Sequence, residues 1–159
     1  MVQIRQAQEQ DIPTLCQLIM TVQELHRQEM PHRYRAITPD DPALVQLFAN
    51  KLGDEQETIF IAEINDEAIG YLSLQIRDIP DHPLVFGYRG GHIDQMSVNE
   101  AYQGQGVGKA LMNHAIEFAK SQNVGRMTLG VVAFNQRAIR FYESFGFEFG
   151  SHRMALNIT

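Results

Sequence analysis

The segment from His92 to Leu111 constrains this chain most. HIDQMSV alternates as a strand does, and a turn with glycine at 104, 106 and 108 then runs straight into a helix marked by Val107, Leu111, Ala115 and Phe118. Glycines at alternate positions let a backbone approach a ligand closely. A helix that starts in such a turn aims its unpaired N–H groups and the positive end of its dipole outward, which suits a phosphate. Two common phosphate loops are excluded by residue. The triphosphate loop G-x-x-x-x-G-K-[ST] fails because Gly108-Lys109 is followed by Ala110, which has no hydroxyl for magnesium. The dinucleotide fingerprint G-x-G-x-x-G needs glycine at 109, where Lys109 stands, and this turn follows three consecutive strands.

The surrounding pattern supplies the elements. Val2–Arg5 reads as a strand. Asp11 precedes Ile12-Pro13 as an N-cap, and Ile12, Leu15, Leu18, Ile19, Val22 and Leu25 predict one helix to about Gln28. Asp41-Pro42 opens a second helix that Gly53 ends. Thr58–Ile64 and Ala68–Ile76 are strands joined at Asn65-Asp66, and Asp78–Gly91, with two prolines and three glycines, reads as a long loop. His92–Val98 is the fourth strand, with His92, Asp94, Met96 and Val98 on one face by the two-residue period. Met127–Val132 is the fifth. Asn135–Phe145 is a helix with Gly146 at C′, and Phe147–Phe149 with Arg153–Ile158 form a closing hairpin. The order βααβββαβαββ predicts one α/β domain over residues 1–159. Its mixed sheet has about seven strands, with four helices on its two faces.

Composition narrows the function classes. The formal net charge of −6 argues against a nucleic-acid partner and suits a cationic small molecule or peptide amine. One cysteine allows no internal disulfide, and no Cys/His cluster has zinc-ligand spacing, so no metal is expected. MVQIRQAQEQD lacks the apolar run of a signal peptide, and no stretch approaches the roughly 18 apolar residues of a membrane helix. A cytoplasmic protein with no membrane partner is the expectation.

Two motifs give the chemistry a family. Gln103-x-x-Gly106-x-Gly108 lies between the fourth strand and third helix, and Asn135-x-x-Ala138-x-x-x-Tyr142-x-x-x-Gly146-Phe147 lies on the last helix. Together they resemble the two motifs of the GCN5-related N-acetyltransferases. The resemblance implies acetyl-CoA as cosubstrate, with its pyrophosphate on the backbone of Gln103, Gly104, Gln105, Gly106, Val107 and Gly108. It implies a fourth and fifth strand that splay apart, with the pantetheine arm along Met96, Ser97 and Val98 and Asn135 bonding that arm or nearby backbone. Tyr142 would face the thioester sulfur as the proton donor to the leaving thiolate. Asp94 or His92 would take the proton of the amine, and His26, Glu29 and Tyr34 would lie at the acceptor entrance. By analogy of fold, a homodimer is also compatible. The competing classes are an acyltransferase for protein N-termini and a non-catalytic acyl-CoA sensor.

Overall fold

The computed structural model describes residues 1–158, so Thr159, the last residue of the expected domain, lies outside the described residues. The elements are β1 (Gln3–Gln6), α1 (Ile12–Leu18), α2 (Met20–Glu29), α3 (Pro42–Gly53), β2 (Glu57–Ile64), β3 (Glu67–Ile79), β4 (Tyr88–Val98), α4 (Val107–Ser121), β5 (Arg126–Leu129) and α5 (Gln136–Glu143). They fall into two compact units, Met1–Leu129 and the stretch from Gly130 onward.

The first unit holds one open sheet in the order β1-β2-β3-β4-β5, antiparallel except for the parallel β4–β5 pair. Asn65 and Asp66 close the β2–β3 hairpin with φ of 52° and 64°, the left-handed pair that a two-residue hairpin turn demands. Side chains alternate between two helical layers. Ile59, Ile61 and Tyr71 join Leu15 of α1 and Phe48 of α3 in one core, with the Phe48 and Tyr71 rings meeting edge-on at 5.7 Å. On the opposite face Phe60 packs its ring against His114 and Phe118 of α4, at 4.8 and 5.2 Å.

Several expectations are corrected here. Among the described residues the sheet has five strands rather than seven, and there are five α-helices rather than four. The extra helix arises because the expected Ile12–Gln28 helix breaks at Ile19. Ser97 of β4 donates its hydroxyl to the Leu18 carbonyl at 2.6 Å, which takes that acceptor out of the helical ladder. Asp11 does not cap α1 through its side chain. It accepts from the Gln8 amide and pairs with Arg5 at 2.8 Å. The long loop shrinks to residues 80–87, because β3 and β4 pair on through Ile79↔Tyr88. Gly90 and Gly91 are strand residues that make room for neighbours. A Cβ on Gly90 would stand 2.8 Å from the Tyr88 ring, and one on Gly91 would stand 3.4 Å from Met127 and Val124. β5 stops at Leu129 rather than Val132.

In the second unit the helix is the one expected, with Asn135 as its N-cap, and Gly146 ends it at φ 88°. Its stop is closed by Gly146 N–H on Glu143 O and Phe147 N–H on Tyr142 O. The closing hairpin is not formed, since residues 147–158 carry no strand. Alternation specifies a strand only where one face is buried against a partner. Here Met154, Leu156 and Ile158 stay more than four-fifths exposed.

The buried Ser97–Leu18 bond makes Ser97→Ala a direct probe of the helix break. Loss of the hydroxyl is expected to lower the unfolding free energy by about 1 kcal/mol, measured by urea denaturation monitored by circular dichroism.

Candidate active site

β4 and β5 share four residue pairs, from Gly90↔Arg126 to Ile93↔Leu129. β5 ends there, whereas β4 runs on to Val98. Residues 94–98 therefore have β3 on one side and no β5 partner on the other. The first of them, Asp94, is also the extra residue of a β-bulge. Leu74 pairs with Ile93 and Ser73 with Gln95, so Asp94 has no residue opposite.

The bulge resets which face each side chain takes, and this corrects the single-face expectation for β4. His92 pairs with Gln75, and Asp94 reaches Lys51 of α3. Gln95 accepts from the Tyr71 hydroxyl at 3.1 Å, and Ser97 reaches Leu18. All four lie on the α1–α3 side. Met96 pairs with Leu72 and Val98 with Gly70, beside Leu111 of α4, so both lie on the α4 side.

The turn after β4 is built from its own polar residues. Asn99 caps the short 3-10 turn Glu100–Tyr102 by accepting from Ala101 N–H at 3.1 Å. The Gln103 carboxamide donates to Val98 O at 3.1 Å, and that of Gln105 donates to Ala101 O at 2.9 Å. Gln103 thus holds the loop to the end of β4, and Gln105 holds it to the 3-10 turn. Gly104 and Gly106 have φ of 77° and 84°, and a Cβ on either would meet nothing within 4 Å. Backbone conformation rather than crowding demands glycine there, and the space before the turn is open. Gly106 caps α4, and the helical ladder first closes with Ala110 N–H on Gly106 O at 2.9 Å. The amides of Val107, Gly108 and Lys109 precede that closure and have no helical carbonyl to bond. A diphosphate fits this cradle by donor chemistry and by dipole sign.

Around Asp94 the charges are tightly packed. Lys51 Nζ lies 2.5 Å from Asp94 Oδ2 and 2.6 Å from Glu57 Oε1. Glu57 also accepts from the Ser73 hydroxyl on Oε1 and from Gln75 Nε2 on Oε2 at 3.2 Å. Burial works to lower the Lys51 pKa, but hydrogen bonds to the two carboxylates outweigh it and hold the ammonium above its ordinary value. Burial, with the Asp94 charge second, pushes the Tyr71 phenol well up. His92 is exposed, with Nδ1 at 2.9 Å from Thr128 Oγ1, and it lines a small cleft of about 70 Å³ with Gln75, Arg77, Tyr88 and Thr128.

In the second unit Asn135 accepts from Ala138 N–H at 3.1 Å, so its carboxamide oxygen caps α5. Tyr142 is half-buried, its ring edge-on to Phe147 at 6.1 Å, and burial raises its phenol above the ordinary value of 10.0.

Most of the length that carries this geometry is similar to known proteins. The model of the acetyltransferase (GNAT) family matches residues 19–147. The chain belongs to the GNAT family. One GNAT relative is an uncharacterized N-acetyltransferase of Methanocaldococcus jannaschii, 30% identical over 94 residues, covering 59% of this chain and 40% of that protein. Another, from Archaeoglobus fulgidus, is 31% identical over 93 residues, covering 58% of this chain and 61% of its own length. The chain therefore matches less than two thirds of the length of these relatives. In fold it is similar to a tetramutant of the BH1408 protein from Bacillus halodurans. The TM-score is 0.91 at 26% identity, over 98% of this chain and 99% of that one.

Within this GNAT frame the expected acceptor residues divide. His26 and Tyr34 meet, with ring centroids 4.8 Å apart, and burial with Arg33 second lowers the His26 pKa. Glu29, the last residue of α2, is exposed. Sequence reasoning missed Lys51, Glu57 and Thr128. Lys51 looks like an ordinary cation in the last turn of a helix, and nothing in its spacing ties it to Asp94. Among the described residues no cluster of three or more His, Cys, Asp or Glu side chains could hold a metal, and no helix is long and apolar enough to cross a membrane.

The raised Tyr142 phenol has a direct check. In an ultraviolet pH titration the difference between wild type and Tyr142→Phe is expected to show a phenol whose midpoint lies above its ordinary value of 10.0, so the group stays protonated at neutral pH.

Proposed function

We propose that the two units act as one N-acetyltransferase domain. It transfers the acetyl group of acetyl-CoA to a primary amine of a small molecule or peptide, by direct attack in a ternary complex. The observation that carries this reading is the open turn at Gly104–Gly108, placed directly after a strand edge without a β5 partner. The turn's amides receive the pyrophosphate, and the backbone of Met96, Ser97 and Val98 receives the pantetheine arm. With its carboxamide oxygen accepting from Ala138 N–H, Asn135 offers its NH₂ to the arm.

The chemistry runs in three steps. Asp94, directly or through a water, takes a proton from the incoming ammonium. The neutral nitrogen attacks the thioester carbonyl carbon, and a β4 backbone N–H stabilises the oxyanion. The carbon–sulfur bond then breaks, and the Tyr142 phenol protonates the departing thiolate. Asp94 is preferred to His92 on geometry. It is the first β4 residue beyond the β5 pairing, whereas His92 sits inside that pairing with Nδ1 engaged by Thr128. The acidic overall charge favours a cationic acceptor. His26 and Tyr34 are the acceptor contacts on α2 and its following loop, with Glu29 available as a nearby carboxylate.

Two experiments test this. Gly106→Val places a branched side chain at φ 84° in front of the helix amides, and it is expected to weaken CoA binding at least tenfold by calorimetry. Unchanged affinity would remove the turn from the site. Thiol release from acetyl-CoA, screened over polyamines, aminoglycosides, amino acids and peptides with free N-termini, should reveal an acceptor. With it, Tyr142→Phe and Asp94→Asn are each expected to lower kcat by roughly 10²-fold or more, and His92→Gln by far less. The reverse order for Asp94 and His92 would reassign the base, and no turnover with any amine would favour an acyl-CoA sensor.

A further inference from the structure

The GNAT reading gives Asp94 a task but says nothing of what holds it. Asp94 is a bulge residue on an incompletely paired strand, and its side chain remains 35% exposed. Such a carboxylate would ordinarily sample several rotamers. Here it is tied by Oδ2 to Lys51, a side chain only 8% exposed that comes from a different layer of the fold. The cost of burying an ammonium is offset only by close opposite charge and hydrogen bonds. Asp94 alone could supply that charge, and the two would then cancel.

Glu57 changes the balance. Its side chain is 3% exposed, and its oxygens are taken by Lys51, Ser73 and Gln75. It therefore neutralises Lys51 from behind, without facing an incoming amine. Tyr71 from β3 and Cys16 from α1 are both held toward their neutral forms by burial. The trio consequently carries one negative charge in excess, and its exposed member is Asp94.

We propose that Lys51 is a positioning residue for amine capture: it fixes the Asp94 carboxylate at the β4 bulge, while Glu57 balances its charge so that Asp94 still attracts a cation. This rests on Asp94 being the group that meets the acceptor. It assigns two residues, from α3 and β2, to the acceptor half of the reaction and none to the coenzyme half.

The single substitution Lys51→Met would strand a buried Glu57 charge and is expected to unfold the protein. The informative variants are Lys51→Met/Glu57→Gln, which removes both buried charges together, and Lys51→Arg, which keeps the cation. With an acceptor found in the amine screen, the double variant is expected to keep wild-type acetyl-CoA affinity by calorimetry. Its kcat/KM for the amine should fall by roughly tenfold to a hundredfold, and its KM for the amine should rise while that for acetyl-CoA stays put. Lys51→Arg should recover most of the loss. Equal losses toward both substrates, or no loss, would overturn the proposal. A crystal structure of the double variant provides a second test that needs no acceptor. The Asp94 side chain should leave its wild-type rotamer or lose order, and an unmoved, well-ordered carboxylate would overturn the positioning role. If no amine turns over even with wild-type protein, that failure belongs to the catalytic reading, and the crystal structure still decides the role of Lys51.

Discussion

The feature on which the rest of the molecule depends is the point where β4 loses its parallel neighbour. Four residue pairs tie β4 to β5, and the pairing ends at Ile93↔Leu129. Backbone N–H and C=O groups are obligate hydrogen-bonding groups, so a strand edge left without a ladder is a binding surface wherever a ligand can reach it. Immediately beyond it the chain turns through two left-handed glycines into α4, whose first amides are likewise uncommitted to helical carbonyls. A strand edge and a helix end, consecutive in sequence, thus offer main-chain donors along one path. A long coenzyme with a diphosphate and an amide-bearing arm suits that path by chemistry alone.

Much of this was legible in the sequence because glycine and asparagine report backbone geometry directly. Gly104 and Gly106 sit where φ is positive, Asn65-Asp66 forms the tight hairpin, and Asp41 caps α3 by accepting from Ala43 N–H at 2.8 Å. Gly146 stops α5 as its position suggested. The failures share a different cause. The break at Ile19 depends on a serine that lies 79 residues from its partner Leu18 in sequence, and the bulge at Asp94 depends on how β3 and β4 register. No local pattern carries either. Gly90 and Gly91 misled because they serve close packing rather than a turn, and the 147–158 tail misled because alternation alone does not supply a partner strand. Backbone geometry at the candidate site was therefore readable in the sequence, and the side-chain placements made by tertiary contacts were not.

The charges follow the same division. In the proposed site the turn after β4 offers amides to the coenzyme, and amides need no counter-ion. On the proposed acceptor side, a buried lysine and a buried glutamate stand behind one partly exposed aspartate. A buried ion pair is weak evidence of stability, because desolvation consumes most of what the attraction returns. Its retention makes more sense as geometry, since an ammonium bonded to two carboxylates on different strands fixes both.

The bulge is what allows that geometry. In a strand of strict two-residue period, Asp94, Met96 and Val98 would share one face and Gln95 and Ser97 the other. Asp94 could then keep Lys51 only if Met96 and Val98 left α4 and Ser97 lost the Leu18 carbonyl; with those three in place, Asp94 would face α4 instead. The one inserted residue lets Asp94, Gln95 and Ser97 all address α1–α3 while Met96 and Val98 stay packed toward α4. A single irregularity in register thus gathers the polar groups of β4 on one side of the sheet, at the residues where β5 no longer accompanies it. It also links helix packing to the site, because the bond that divides α1 from α2 comes from the same short run of strand as Asp94.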